Sequence, residues 1–277
     1  MSIILSIETS SELASVALLR GETVTSRVSS GVRTHSQSVL PMIQELLADA
    51  GIALKDCDAI AFGAGPGSFT GVRTACGVAQ GLAFGASLPV VPVVTLDAMA
   101  LACRQQHGAV DVLAVLDARM GEVYWAQYRF GDHGDAIAAA ISEPVVVLAP
   151  ALSAPDGVTP QGAPVACGNG LSAYAEAFNE PFAASFAAGG LATVMPHAEQ
   201  IAQLASIAFA AGKTVTAAEA QPLYLRNKIA YTQAERRDMA ATAAAASAGA
   251  AAATLAPGTV ADKAGDTVAA NTAEGAA

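Results

Sequence analysis

The sequence predicts an α/β protein of two lobes with mixed sheets, and three observations carry that prediction. A hairpin-led run of short apolar strands opens the chain, and a second hairpin opens a new unit at mid-chain. Each hairpin gives way to segments whose apolar residues recur at helical spacing, so strands and helices must share a core. A length of 277 residues suffices for one large domain or two modest lobes. The repetition is architectural, with no close sequence repeat between the halves.

The elements follow in order. Ile3 to Ile7 reads as a first strand and Ala14 to Leu19 as a second. Gly21-Glu22 supplies the turn into a third strand, Thr23 to Val28, completing an antiparallel meander. Thr34 offers an N-cap, and Val39, Ile43, Leu46, Leu47 and Ala50 mark the apolar side of a first helix that Gly51 ends. Ala59 to Ala64 reads as a buried strand. It runs into a Gly/Pro-rich turn and a second helix from Thr70 to about Ala86. A further buried strand covers Leu88 to Val94, and a third helix covers Leu96 to Gln106. The second unit begins with a strand at Val112 to Leu116, a turn at Asp117 to Gly121 and an alternating strand at Glu122 to Phe130. Helical patches follow at Ser172–Phe178 and Glu199–Ala211. From Met239 onward the chain is mostly alanine, without aromatics, and Gly249, Pro257, Gly258 and Gly265 interrupt it; this composition predicts a disordered tail.

Composition narrows the function. The formal net charge is −10 and the only lysines are Lys55, Lys213, Lys228 and Lys263, which argues against a broad basic surface for nucleic acid. Cys57, Cys76, Cys103 and Cys167 form no CxxC pair, so zinc and dithiol chemistry lack their spacing and buried free thiols are expected. The N-terminus has no basic segment and meets Glu8 early, unlike a signal peptide, and no apolar run is long enough to span a bilayer. A soluble, cytoplasmic protein is expected.

The most informative run is Gly65-Pro66-Gly67-Ser68-Phe69-Thr70-Gly71-Val72-Arg73. A strand, a glycine-rich turn and a helix start can aim backbone N–H groups at an anion or a partner. Three other motifs accompany it in order: His35-Ser36-Gln37 before Leu40-Pro41, Asp117-Ala118-Arg119-Met120-Gly121-Glu122-Val123-Tyr124, and Pro222-Leu223-Tyr224-Leu225-Arg226. Together, over roughly residues 1–231, they resemble the TsaB (YeaZ) family.

That resemblance implies the two-lobed actin-like ATPase fold shared by acetate and sugar kinases, Hsp70 and actin. It implies lobes at 1–105, with dimerisation helices, and at 106–231, leaving residues 232–277 as the tail outside the match. It also implies a part in making N6-threonylcarbamoyladenosine at position 37 of tRNAs that read ANN codons. In that system a separate synthase makes threonylcarbamoyl-adenylate and TsaD transfers the carbamoyl group to tRNA. The family member is TsaD's non-catalytic dimer partner, and the ATPase TsaE joins the pair. The implied partners are therefore a TsaD-like subunit and a TsaE-like ATPase, with a homodimer as a further form. tRNA would be met only through the complex, and no membrane is involved.

Individual residues bear on this reading. TsaD-like proteins hold a metal with an HxxxH pair on the helix corresponding to the third one here; Thr95 and Met99 stand at those positions, and neither is an imidazole ligand. His35, His107, His133 and His197 show no pair at ligand spacing and read as surface or capping residues. No catalytic residue and no metal ligand are expected. Glu8-Thr9-Ser10 falls where actin-like ATPases place a first phosphate loop. It has no glycine, Ser10 would crowd a phosphate, and a hydroxyl-rich turn at a strand end fits as well. No cofactor of its own is expected, while weak or interface-dependent ATP or ADP binding stays open.

The candidate site is the signature turn itself, Gly65, Pro66, Gly67, Ser68, Phe69, Thr70 and Arg73, as a nucleotide or partner contact. Arg73 opposes the helix dipole, which suggests an acidic or phosphate partner, or an exposed salt bridge. In the second signature, Asp117, Arg119, Gly121 and Glu122, Asp117 could orient a metal or water or cap its own turn. Gly77, Gly81 and Gly85 share one face of the second helix. They either pack against this protein's own sheet or first helix, or form a helix–helix dimer seam. Val39, Met42, Ile43 and Leu46 of the first helix could complete the seam, although some of them must face the core. Two other functions compete: an actin-like ATPase or phosphotransferase acting alone, and a metallopeptidase, against which the missing HxxxH argues.

Overall fold

The strand β1 (Ile3–Glu8) alternates its side chains between two buried faces. Leu5 and Ile7 point to one apolar cluster, and Ile4 to another on the opposite side. A strand covered on both faces belongs inside a sheet, and β1 is the central strand of five. In the computed structural model the first sheet has the order β3-β2-β1-β4-β5. It contains β2 (Ala14–Arg20), β3 (Thr23–Ser29), β4 (Ala59–Gly65) and β5 (Val90–Val94). The first three strands are antiparallel, whereas β4 runs parallel to β1 and β5 parallel to β4. The structure describes residues 2–29, 35–131, 139–140, 145–148, 164–175 and 191–225.

Helices cover both faces of this sheet. On one side lie α1 (His35–Ala50) and α2 (Phe69–Ala86), which pack Val39, Met42, Ile43, Leu46, Ala75, Cys76, Ala79 and Ala83 against Leu5, Ile7, Val16, Leu18, Ile60 and Phe62. Thr34, the residue expected to cap α1, lies outside the described residues. On the other side lies the helix of Ala198–Ala210, labelled α5 below, which buries Ala198, Ile201, Ala202 and Ala205. It comes from the stretch assigned to the second lobe, yet it seats on the first sheet. Ser6 Oγ donates to the Ala198 carbonyl at 2.7 Å, and the Ala198 N–H donates to Ser15 Oγ at 2.9 Å, which pins its first turn. His197 caps it, its Nδ1 accepting from the Glu199 N–H.

The second sheet has the order β10-β6-β7-β8, with β9 also pairing β7. Its strands are β6 (Asp111–Arg119), β7 (Glu122–Arg129), β8 (Ala139–Ala140), β9 (Val145–Leu148) and β10 (Val165–Cys167). The short α4 (Gly170–Ala173) follows β10 and overlaps the start of the patch expected at 172–178, of which residues 176–178 lie outside the described residues. Between the sheets in sequence, α3 (Thr95–His107) packs Leu96, Met99 and Cys103 onto Val112, Ala114 and Tyr128 of the second sheet, while Ala98 joins the cluster under α5. Both sheets belong to one compact unit that spans residues 1–227. All four cysteines are free and buried. Among the described residues no helix is long and apolar enough to cross a membrane.

Candidate functional site

The signature turn leaves the carboxyl end of β4 and enters α2. Ser68 caps the helix, its Oγ accepting the Gly71 N–H at 3.4 Å. The turn does not stand free, because the β1–β2 turn is seated on it. The Ser68 N–H donates to the Ser10 carbonyl at 2.7 Å, and Thr9 Oγ1 donates to the Gly71 carbonyl at 2.7 Å. Gly71 is required by this approach: a Cβ there would overlap the Thr9 carbonyl. The side chain and carbonyl of Ser10 lie against Gly67, where a Cβ would overlap them.

Glu8 anchors that turn from below. It is fully buried, and Oε1 accepts the Ser10 N–H at 2.5 Å. Its Oε2 lies over Gly63, where only a residue without a Cβ leaves room. Burial raises the Glu8 pKa to about 7, against the opposing pull of hydrogen bonds from Ser10 and Thr9.

Two further segments converge on the signature. Thr95, at the start of α3, is buried and its Oγ1 accepts the Gly65 N–H at 3.0 Å. Met99, one turn on, is buried with its methyl carbon close to Gly168. The two positions at which the resemblance expected a histidine pair are thus a turn anchor and a core contact. The chain between Thr214 and Leu225 runs back along α2. Val215 bridges to Val90, the Ala220 carbonyl accepts from Gln80 Nε2 at 2.9 Å, and the Leu223 N–H donates to the Ala64 carbonyl at 2.7 Å. The fourth sequence motif therefore docks on the first.

This docking changes the reading of Arg73. Its guanidinium carbon lies 3.2 Å from the centroid of the Phe69 ring and 4.6 Å from that of Tyr224, and its Nη1 donates to the Phe69 carbonyl at 2.9 Å. Within the described residues the cation meets two aromatic faces, which satisfy it through their quadrupoles. Tyr224 had no assigned role in the sequence reading; only its place in a motif marked it.

The helix faces are also divided. Val39, Met42, Ile43 and Leu46 are all buried under the first sheet, so none is available to a seam. The outward residues of α1 include Leu40, Pro41 and Gln44. On α2 the apolar positions Val72, Ala75, Cys76, Ala79 and Ala83 turn inward. Gly77, Gly81 and Gly85 turn outward, and a Cβ at any of them would meet open space. They do not pack against the protein's own sheet or first helix. Phe84 stands beside them at 82% exposure, and Phe69 and Thr70 are exposed at the head of the helix.

The second signature forms a tight hairpin end. Met120 and Gly121 take φ of 61° and 78°, as a two-residue turn of this hand requires, and Arg119 precedes them at 62°. Asp117 holds the strained backbone: Oδ1 accepts the Arg119 N–H at 2.7 Å and the Tyr174 hydroxyl at 3.0 Å, and Oδ2 pairs with the Arg119 guanidinium at 3.0 Å. Of its two readings, the local cap is the one the geometry supports. Glu122 pairs with Arg119 across the turn in the strand register.

Two mixed sheets joined through α3, with the first hairpin seated on a glycine-rich strand-to-helix turn, define an α/β protein built around that turn. Residues 22–262 match the family model described as TsaD: tRNA N6-adenosine threonylcarbamoyltransferase. The chain is 41% identical over 237 residues to the tRNA threonylcarbamoyladenosine biosynthesis protein TsaB of Escherichia coli (strain K12), covering 82% of this chain and 96% of that one. It is 39% identical over 242 residues to the protein of the same name from Haemophilus influenzae, covering 85% and 98%. The structure of YeaZ from Pseudomonas aeruginosa superposes with a TM-score of 0.68 at 38% identity, over 81% of this chain and all of that one. The chain belongs to the TsaB (YeaZ) family.

Proposed function

We propose that this protein acts in tRNA threonylcarbamoyladenosine biosynthesis as a non-catalytic subunit, binding a TsaD-like transferase through the outer face of α2. The observation that carries the reading is the open stripe of Gly77, Gly81 and Gly85 beside the exposed Phe84. Glycine in a helix costs about 1 kcal/mol per site relative to alanine, and nothing in the described structure uses the space these three leave. A helix from another chain could approach closely there, with Phe84 as an apolar anchor. The buried Thr95 and Met99 support a subunit without transferase chemistry of its own. The seated β1–β2 turn disfavours nucleotide binding by the lone chain, because Ser10 already uses the Ser68 amide. Any ATP or ADP contact would then belong to the assembled interface, as would a TsaE-like ATPase, and tRNA would be handled by the partner.

The test supplies threonylcarbamoyl-adenylate and unmodified tRNA to the lone protein and to the protein mixed with a TsaD-like chain. Mass spectrometry should find the modified base only in the mixture. Modification by the lone protein would overturn the proposal, as would failure of the two chains to co-purify.

A further inference from the structure

Glu8 is the one carboxylic residue fully buried among the described residues. It stands at the end of β1, where the first hairpin turns toward the signature. One oxygen accepts the Ser10 N–H, while Oε2 and the neighbouring Ser10 Oγ are both buried without a hydrogen-bond partner. The same turn supplies the Ser10 carbonyl and the Thr9 hydroxyl that hold Ser68 and Gly71. A buried orphan pair at the base of a functional turn calls for a physical account.

We propose that Glu8 is a proton-operated latch: its neutral carboxyl keeps the Glu8–Ser11 turn seated on the signature, and ionisation loosens that seat at the head of α2. A carboxylate held there would carry a full charge in a dry site with only the donors of its own turn, a far larger cost than for a neutral acid. The groups that face it are Ser15 across from it on β2, Gly63 on β4 and Ser10 in its own turn, and the nearest titratable residue of the helix packed on that side is His197, which precedes the Ala198 N–H bonded to Ser15. None of these is charged; burial raises the Glu8 pKa, hydrogen bonds from Ser10 and Thr9 oppose the rise, and no charged neighbour is among the causes. The released state is one in which the turn lifts, the carboxyl loses its proton to water and the Ser10–Ser68 contact breaks.

The direction follows from linkage. The seated group titrates at about 7 and the released group near the ordinary 4.5. Seating is therefore fully favoured below 4.5, weakens as pH rises from 4.5 through 7, and levels off above about 8. From those two values the opening constant should increase about tenfold between pH 6 and pH 8. The inference stands apart from the partner assignment, because the lone protein reports it.

The experiment is amide hydrogen exchange on the full chain from pH 5 to 8.5, with rates corrected for intrinsic base catalysis. The Ser10 and Ser68 amides should lose about tenfold in protection between pH 6 and 8. In Glu8→Gln, whose side chain is neutral at every pH, protection should stay flat. Should that variant fail to fold, a carbon-13 titration of the Glu8 carboxyl in the unaltered protein decides the matter. A midpoint near 7 that coincides with the loss of protection supports the latch. Flat protection in the unaltered protein, a loss of protection that persists in Glu8→Gln, or a Glu8 midpoint near 4.5 would each overturn it.

Discussion

Gly81→Leu separates the stability of the fold from the use of its surface. Gly81 sits mid-way along α2 with no atom near the place of a Cβ, so the new side chain meets solvent in the lone protein. The helix gains close to the full glycine penalty, about 1 kcal/mol. For a unit of this size such a gain raises Tm by roughly 2–4 °C. If a second helix lies against this face in the complex, the same side chain overpacks the seam at a cost of about 1–3 kcal/mol. That corresponds to roughly a 5- to 150-fold loss of affinity. Scanning calorimetry on the lone protein and sedimentation with a TsaD-like chain give the two readouts. A raised Tm with weakened association is the expected pair of results. A lowered Tm would mean that the glycine face is packed inside the monomer, and unchanged association would remove this face from the seam.

Two other substitutions probe the division of side chains that the fold imposes. Ile43→Ala should behave as a core truncation, costing about 2–5 kcal/mol in urea unfolding of the lone protein, because Ile43 is buried under the first sheet; loss of partner binding at unchanged stability would return it to the seam. Thr95→Val removes the acceptor of the Gly65 N–H and should cost about 1–3 kcal/mol, with an unchanged unfolding midpoint refuting the anchoring role.

Much of this protein was legible in its sequence. Strand β1, the turn at Gly21 and the helices around Ala75 and Ile201 announce themselves by local periodicity and turn chemistry, which neighbours in sequence decide. The signature at Gly65–Arg73 was legible for the same reason, since its glycines and its cap act within one turn of helix. The resemblance to the TsaB family rested on such local strings, and the comparisons bear it out.

What local pattern could not decide was which surface each apolar residue meets. Val39, Met42, Ile43 and Leu46 have the same spacing whether they face a sheet or a partner, and only the placement of α1 over β2 sends them inward. Arg73 reads as a cation against a helix dipole until the chain returns, some 150 residues later, with Tyr224 to close over it. Glu8 reads as an ordinary carboxylate at a strand end. Its burial depends on Gly63 of β4 and on the seated signature turn, both brought there by pairing between distant strands, and that burial is what raises its pKa. The sequence by itself determined the elements, the turns and the family, because those depend on neighbours along the chain. The tertiary structure alone decided burial, facing and protonation, because desolvation and close approach exist only once separate segments share the same space.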